Sequence, residues 1–567
     1  MASLRFPFLQ QVWTLLIRPY WTSEDRWVAA GLLASHLALV GFFISLAVWF
    51  NYWNNNFYTA IQDLNSSAFF YLLGTFSIAA FFSITAFMLK AYFLLKLEIR
   101  WRQWLTLHLV ESWTHNRRYY ALQLKGDGAD NPDQRIADDI SQFINSTLSL
   151  SIGFLQEIVT LISFLGILWS LSGVLHIPLG SFTLSIPGYM CWGAIIYAVA
   201  GTFFSTYLGR PLIRLDYEKE RYEANFRYSL VRFRENVEGI ALYQGEEKER
   251  EIFKTRFRHI VSNYNMIVKR MLKIYSWNSF YSQINIIYPT LLAAPRLFTK
   301  EITFGGFMQT LTAFTQVSHS LSFIVDNYTG IASWRATTNR LLEFKLTLEN
   351  LPPSPLSHGI HEEDAIHVAC DYIALPHGTI LNEELHIIFK KGEDTLITGN
   401  TGVGKSTLAR AIAGLWPYGK GEIKLPSSSF LFLPQKPYMP LGSLEDVLQY
   451  PTSCVSKDEI NDALEDVGLS LFKSRLEDVN DWARVLSLGE QQRIAIARAL
   501  LTKPHWLILD EATSAMDEGS EAHLYNLLRK RLPDATFISI GHRESLKSLH
   551  SREVRLEERG SLRKVAA

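Results

Sequence analysis

The residues whose types and spacing could do chemistry lie in the second half of the chain. Gly399-Asn400-Thr401-Gly402-Val403-Gly404-Lys405-Ser406 follows the short strand pattern 394–398 and precedes the helical pattern Thr407 to Leu415. That is the context a phosphate-binding loop requires. Its glycines permit tight turns and close backbone approach, amides at the helix start cradle phosphates, Lys405 reaches the β and γ phosphates, and Ser406 can ligate magnesium. Far downstream, Trp506-Leu507-Ile508-Leu509 reads as a buried strand ending in Asp510-Glu511. This placement suits a magnesium carboxylate beside a water-activating carboxylate. A strand ending in two acids is by itself as often a solvated terminus; the phosphate loop upstream decides for chemistry.

The elements that must position these residues are of two kinds. The chain has 567 residues, 48% hydrophobic and 19% charged, with 55 basic against 55 acidic side chains. A neutral balance gives no basic surplus for nucleic acid, and the hydrophobic share excludes a disordered or collagen-like chain. Cys191, Cys370 and Cys454 are too scattered for a disulfide framework or a zinc module. The segment 27–50 is free of formal charge over 24 residues, enough to cross a hydrocarbon core of about 30 Å as a helix. Similar stretches at about 68–89, 148–172, 186–208, 274–295 and 303–325 make six expected spans. The loops 51–67 and 173–185 carry no Lys or Arg, whereas 96–147 carries seven and 209–273 fifteen. The basic side faces the cytoplasm. Both termini and the phosphate-binding half are therefore expected there, with spans two to five continuing as long cytoplasmic helix extensions.

Within the spans, Glu157 is a carboxylate in an otherwise apolar stretch, costly in lipid and so expected to face the bundle interior on a substrate or proton path. His36, His319 and Asp326 are weaker candidates near span ends, and Pro289 and Pro295 fall in span five. Beyond about residue 345 the membrane pattern stops. The expected organisation is a transmembrane region 1–345, a Pro-rich linker 346–359 and a soluble α/β domain 360–567.

The segment Leu486-Ser487-Leu488-Gly489-Glu490-Gln491-Gln492-Arg493 resembles the signature motif of ATP-binding cassette (ABC) proteins. Gln435 resembles the Q-loop glutamine, Ser514-Ala515-Met516-Asp517 the D-loop, and His542 the switch histidine, all in family order. The resemblance implies a P-loop ABC nucleotide-binding domain that uses ATP and Mg²⁺. ATP would be held by Gly399, Asn400, Thr401, Gly402, Val403, Gly404, Lys405, Ser406 and Thr407, with Mg²⁺ on Ser406, Gln435 and Asp510. Glu511, His542 and Gln435 would be catalytic. It also implies a head-to-tail dimer in which Ser487, Gly489 and Glu490 of one chain close over nucleotide held by the other, with Ser514 and Asp517 in the D-loop between them. Two departures stand out. Leu488 replaces the first glycine of the signature, and Leu375 occupies the place where many members stack an aromatic ring on adenine.

The membrane half narrows the branch. Asp130 to Ile140, Glu235 to Gly245, and Ala294-Pro295-Arg296 with Ile302 to Gly306 resemble peroxisomal (subfamily D) acyl-CoA half-transporters and their bacterial YddA-like relatives, and the membrane half is also similar to the SbmA/BacA peptide permeases. The resemblance implies an exporter-type α-helical transmembrane bundle of about six spans, acting as a homodimer in the lipid bilayer of a bacterial inner membrane. ATP hydrolysis would drive a hydrophilic or amphipathic solute, such as cobalamin, a peptide or an acyl compound, across it. The alternatives are a proton-coupled permease working through Glu157 with a regulatory nucleotide domain, or a lipid or drug exporter. Asn131 to Asp139 and Glu238 to Gly245 are the expected coupling segments.

Overall fold

The protein is described from a computed structural model covering residues 8–125, 131–179, 182–350, 356–361, 363–452, 455–557 and 563–564. Two compact units divide the chain: Met1–Glu111 with Asn131–Leu346, and Ser112–Asp130 with Thr347–Ala567.

The first unit is helical. Its principal elements are α1 (Arg26–Gln62), α2 (Ser66–Thr114), α4 (Ile140–Ser172), α5 (Tyr189–Glu235), α6 (Val237–Tyr243), α7 (Glu246–Phe298), α8 (Phe304–Asp326) and α9 (Tyr328–Glu349), with α3 (Arg118–Lys125) belonging to the second unit. A short antiparallel hairpin, β1 (Val174–Leu179) and β2 (Phe182–Pro187), joins α4 to α5. At about 1.5 Å per residue, the 53 residues of α7 extend roughly 80 Å, well over twice the hydrocarbon thickness. The division of labour along α2 follows its residues. Phe81, Phe82, Ile84 and Phe87 are exposed, as on a lipid-facing surface, whereas Leu97, Trp101, Leu105 and Leu109 recur every four residues and are buried. That stripe packs with Phe143, Ile144 and Leu341, and Tyr20 stacks on Trp101 at 5.4 Å.

Among the described residues, four helical segments are long and apolar enough to cross a membrane: Arg26–Gln62, Ser66–Leu124, Pro132–Ser172 and Tyr189–Glu235. The fifth and sixth expected spans fall in α7 and α8, whose Ser, Thr, Asn, Gln and His residues dilute the apolar character.

The second unit is α/β. Its strands are β3 (Leu356–His361), β4 (Ala365–Ala374), β5 (Ile380–Lys390), β6 (Thr395–Gly399), β7 (Gly419–Pro426), β8 (Phe430–Leu433), β9 (Trp506–Asp510), β10 (Thr536–Ile540), β11 (Arg552–Leu556) and β12 (Arg563–Lys564). A six-stranded sheet has the order β12-β11-β6-β10-β9-β8, parallel except at its β12 edge; a second sheet has the order β3-β7-β4-β5. Residues from both sheets share one core with helix α10 (Lys405–Ile412), while α11 (Leu488–Thr502) and α12 (Glu518–Arg531) help build a second. Strand β6 sits between β11 and β10, so the loop leaving its carboxyl end emerges beside the end of β9, one strand further across the sheet. This is the crevice where open α/β sheets bind ligands. Strand β3 begins at Leu356, within the segment read as linker, and pairs with β7.

Helix α3 packs on this second unit. Arg117 Nη1 donates to the Ala413 carbonyl at 2.5 Å, Tyr418 Oη donates to the Leu124 carbonyl at 3.3 Å, and Leu124 lies against the inter-sheet core. This segment, part of the second unit, precedes the expected Asn131 to Asp139 in the chain. That expected segment and Glu238 to Gly245 both lie in the helical unit. Asp139 is a clamp there: it is buried and accepts from Arg340 Nε at 2.9 Å, Arg340 Nη2 at 2.6 Å and Arg135 Nη1 at 2.9 Å.

Candidate ATP-binding site

The phosphate loop owes its shape to three glycines in the left-handed region, Gly399 (φ 142°), Gly402 (φ 88°) and Gly404 (φ 97°). Two of them are also sterically required. A Cβ on Gly399 would come within 2.4 Å of the Leu556 carbonyl, and one on Gly404 within 2.8 Å of Asn382 Oδ1. Asn382 supports the loop from β5 by donating to the Val403 carbonyl at 3.1 Å. Val403 is buried and anchors the loop to the core, while Asn400 and Thr401 stay exposed above it.

Lys405 begins α10 and is pinned by donating to the carbonyls of Gly399 (2.8 Å) and Asn400 (2.9 Å). Burial lowers its pKa, an effect opposed by the nearby Glu511 and Asp510 carboxylates. Ser406 Oγ donates to Asp510 Oδ1 at 2.9 Å. Burial raises the pKa of Asp510, and the Ser406 hydrogen bond works against that. A hydroxyl and a carboxylate this close are hard oxygen donors of the kind Mg²⁺ takes together with phosphate oxygens. Among the described residues there is no cluster of three His, Cys, Asp or Glu side chains that would suit a softer metal.

Glu511 is the centre of a second group. Its backbone is left-handed (φ 49°), rare for a residue with a side chain, and is held by donation of its N–H to the Ile540 carbonyl at 3.0 Å. Gln435 Nε2 donates to Glu511 Oε2 at 3.0 Å, and His542 Nε2 lies 3.3 Å from Glu511 Oε1. The expected phosphate, magnesium and water-handling residues are thus brought together. Ser487 and Glu490 are instead bonded to each other: Ser487 caps α11, its hydroxyl accepting from the Glu490 N–H at 3.3 Å and donating to the Glu490 carboxylate at 2.8 Å. Among the described residues, no hydrogen bond joins Ser487, Gly489 or Glu490 to the phosphate loop. Leu375 forms a tight turn with Thr379 and packs against the inter-sheet core, so the adenine-side departure serves packing.

Two residues that matter here were not singled out in the sequence. Gln492 is fully buried; its Nε2 donates to the Gln435 carbonyl at 2.9 Å and Ser514 Oγ at 3.3 Å, and its Oε1 accepts from the Ala515 N–H at 3.1 Å. It ties the signature helix to the Q- and D-loops. Arg543 donates to the carbonyls of Met516 (2.7 Å) and Ser514 (3.1 Å), and Asp517 caps α12 through the Ser520 N–H, which fixes the D-loop at both ends. Position in the motif gave the only available signal for Gln492. Gln492→Ala is expected to destabilise the unit by about 1–3 kcal/mol through stranded buried groups. It should also cut the turnover of ATP about tenfold by loosening the loops around Glu511. Thermal melting and steady-state hydrolysis of the variant check both.

The family model for ABC transporter transmembrane region 2 matches residues 16–298, and the ABC transporter model matches residues 383–514. An uncharacterized ABC transporter ATP-binding protein of Haemophilus influenzae is 39% identical over 537 residues, covering 94% of this chain and 88% of its own. The inner membrane ABC transporter ATP-binding protein YddA of Escherichia coli is 32% identical over 94% of this chain and 95% of its own. A lysosomal cobalamin transporter of Homo sapiens is 26% identical over 81% and 80%. A solved bacterial Atm1-family ABC exporter with ATP bound matches the fold at a TM-score of 0.73 and 16% identity, over 95% of each chain.

Proposed function

This chain belongs to the ABC transporter family, an ATP-binding half-transporter of exporter-type fold whose hydrolysis is coupled to transport, and we propose that two copies of it form the working transporter. In this reading each chain contributes six spans and one nucleotide-binding unit, in a bacterial inner membrane with both termini cytoplasmic. The observation that carries it is the joining of Ser406, Asp510, Glu511, Gln435 and His542 at the mouth of an intact phosphate loop. Mg²⁺ held by Ser406, Asp510 and Gln435 would supply charge neutralisation for the β and γ phosphates. Glu511 orients and deprotonates the attacking water, with Gln435 and His542 fixing its carboxylate. The signature residues Ser487 and Gly489 bond nothing in their own phosphate loop, which fits their closing over nucleotide on a second chain.

Closure of the nucleotide units can move the helical bundle only if it binds two bundle arrangements with different affinity. Asn131 to Asp139 and Glu238 to Gly245, together with helix α3 of the unit that holds the phosphate loop, are the segments we propose pass that difference on.

The cargo we propose is a hydrophilic or amphipathic solute, with cobalamin as the first to try given the named cargo of the lysosomal relative. Entry of labelled cobalamin is followed into proteoliposomes with ATP trapped inside, which energises only transporters whose nucleotide units face the lumen. Uptake that needs both ATP and Glu511 is the expected result. Vesicles that hydrolyse ATP without accumulating cobalamin would remove cobalamin import and bring peptide or lipid export forward. Uptake driven by a pH gradient alone in Lys405→Ala would replace ATP-driven transport with a proton-coupled permease.

A further inference from the structure

Helices α5, α7 and α8 enclose a cavity of about 280 Å³ within the helical unit. Its walls are unusual for a segment expected in lipid. They include Asn285, Ser318, His319 and Asp326, together with Tyr197 and Tyr281, and among the described residues no Lys or Arg lines it. Tyr197 and Tyr281 are stacked at 4.2 Å, and each is held in place by hydroxyl donation to the other's carbonyl, at 2.6 Å and 3.2 Å. Gly201 makes this stack possible, because a Cβ there would lie 2.3 Å from the Tyr281 ring.

Two polar atoms at the cavity have no protein partner. Ser318 is 4% exposed, and its hydroxyl makes no hydrogen bond; Asn285 is half-buried, and its Oδ1 is shielded and likewise unpaired among the described residues. An unpaired buried acceptor or hydroxyl costs on the order of 1–3 kcal/mol unless something else bonds it. Beside the cavity, Glu157 Oε2 accepts from Ser320 Oγ at 2.7 Å and lies 3.9 Å from His319 Nδ1. His319 thus stands beside two carboxyl groups, Glu157 and Asp326. The site therefore offers a carboxyl group in its wall, an amide oxygen and a hydroxyl without protein partners, and aromatic walls. A donor-rich cation satisfies all four, since the charge meets the carboxylate, N–H groups meet Asn285 and Ser318, and aromatic rings attract cations.

We propose that this cavity binds the ammonium or guanidinium end of a transported hydrophilic solute, with Asp326 as its counter-ion and Asn285 and Ser318 as hydrogen-bonding partners. The proposal rests on the reading of the chain as a transporter and specifies the charge of its cargo. The volume lies at the small end of ligand sites, which suits one end of a longer molecule.

The test is calorimetric titration of spermidine, citrate and sorbitol into the full-length protein in phosphatidylcholine nanodiscs without nucleotide, a lipid without net charge to compete. Spermidine is expected to bind while citrate and sorbitol do not. Asp326→Asn should weaken spermidine at least tenfold, Ser318→Ala severalfold, and Asn285→Asp should strengthen it severalfold. That gain cannot come from misfolding. No spermidine binding, equal binding by Asp326→Asn, or citrate binding as tightly as spermidine would overturn the proposal. ATP hydrolysis measured on the same samples separates the two readings. If a Glu511→Gln sample prepared alongside hydrolyses ATP at the unmodified rate, the proposed catalytic role of Glu511 falls, while the nucleotide-free titrations still decide the cavity.

Discussion

Glu511→Gln is expected to slow ATP hydrolysis by about 10²–10⁴-fold, the range that a positioned general base contributes, while leaving ATP binding intact. Glutamine keeps the size of the side chain and can still bond Gln435, so the change removes proton acceptance more than shape. The phosphate-binding groups are separate from it. Lys405 is held by the carbonyls of Gly399 and Asn400, and Ser406 by Asp510. Single-turnover hydrolysis with radiolabelled ATP, beside equilibrium nucleotide binding, separates the two effects. A variant that hydrolyses at the unmodified rate would remove Glu511 as the base. The left-handed backbone at Glu511 sharpens the expectation, because strain of about 1–3 kcal/mol persists only where surrounding structure imposes it. Here the sheet imposes it through the Ile540 carbonyl, aiming the carboxylate at Gln435 and His542.

Asp139→Ala is expected to destabilise the helical unit by about 3 kcal/mol, as removal of one partner from a buried ion pair does. The carboxylate is 2% exposed and takes three hydrogen bonds from two guanidinium groups. Arg340 arrives from α9 and Arg135 from the turn before α4, so the carboxylate locks two distant segments of chain. Arg340 has its pKa raised chiefly by the Asp139 hydrogen bond, the sign of a favourable pair. The guanidinium groups are partly solvated, 37% and 16% exposed at their side chains, which keeps the expected loss at the low end of the range for buried pairs. A drop in thermal midpoint with loss of monodisperse protein checks it, and an unchanged midpoint would show the clamp to be dispensable. Asp139→Asn should recover part of the loss by keeping acceptors for the same donors.

The chemistry of the nucleotide site was legible along the chain because it depends on local geometry. A strand, a glycine-rich turn and a helix start are one continuous stretch, and their φ requirements are met only by glycine. Asp510 and Glu511 were legible for the same reason, standing at the end of an apolar run. Gln492 was not, since a glutamine inside a helix carries no sign of the two loops it will bridge. Leu375 was read for its position beside adenine, whereas its burial against the inter-sheet core is a property of the packed sheets.

In the membrane half, charge and hydropathy marked the apolar helices and the basic loops, because lipid imposes its constraint on every residue of a span. They did not mark that the segment 112–125 would pack with the nucleotide unit. Conspicuous charge drew attention to Asn131 to Asp139, where Asp139 clamps Arg340 and Arg135, while Arg117 and Leu124 pack inside the second unit through contacts that charge does not announce. Glu157 was singled out as an intramembrane carboxylate. That Asn285, Ser318 and Asp326 share one cavity, from two helices consecutive in the chain, followed only from the packing of α7 against α8. By itself the sequence determined the phosphate loop, the family and the two kinds of unit, since each is written in contiguous residues. Tertiary structure decided the wall of the cavity, the clamp at Asp139 and the buried bridge at Gln492, because a hydrogen bond depends on distances of a few ångströms that chain separation does not encode.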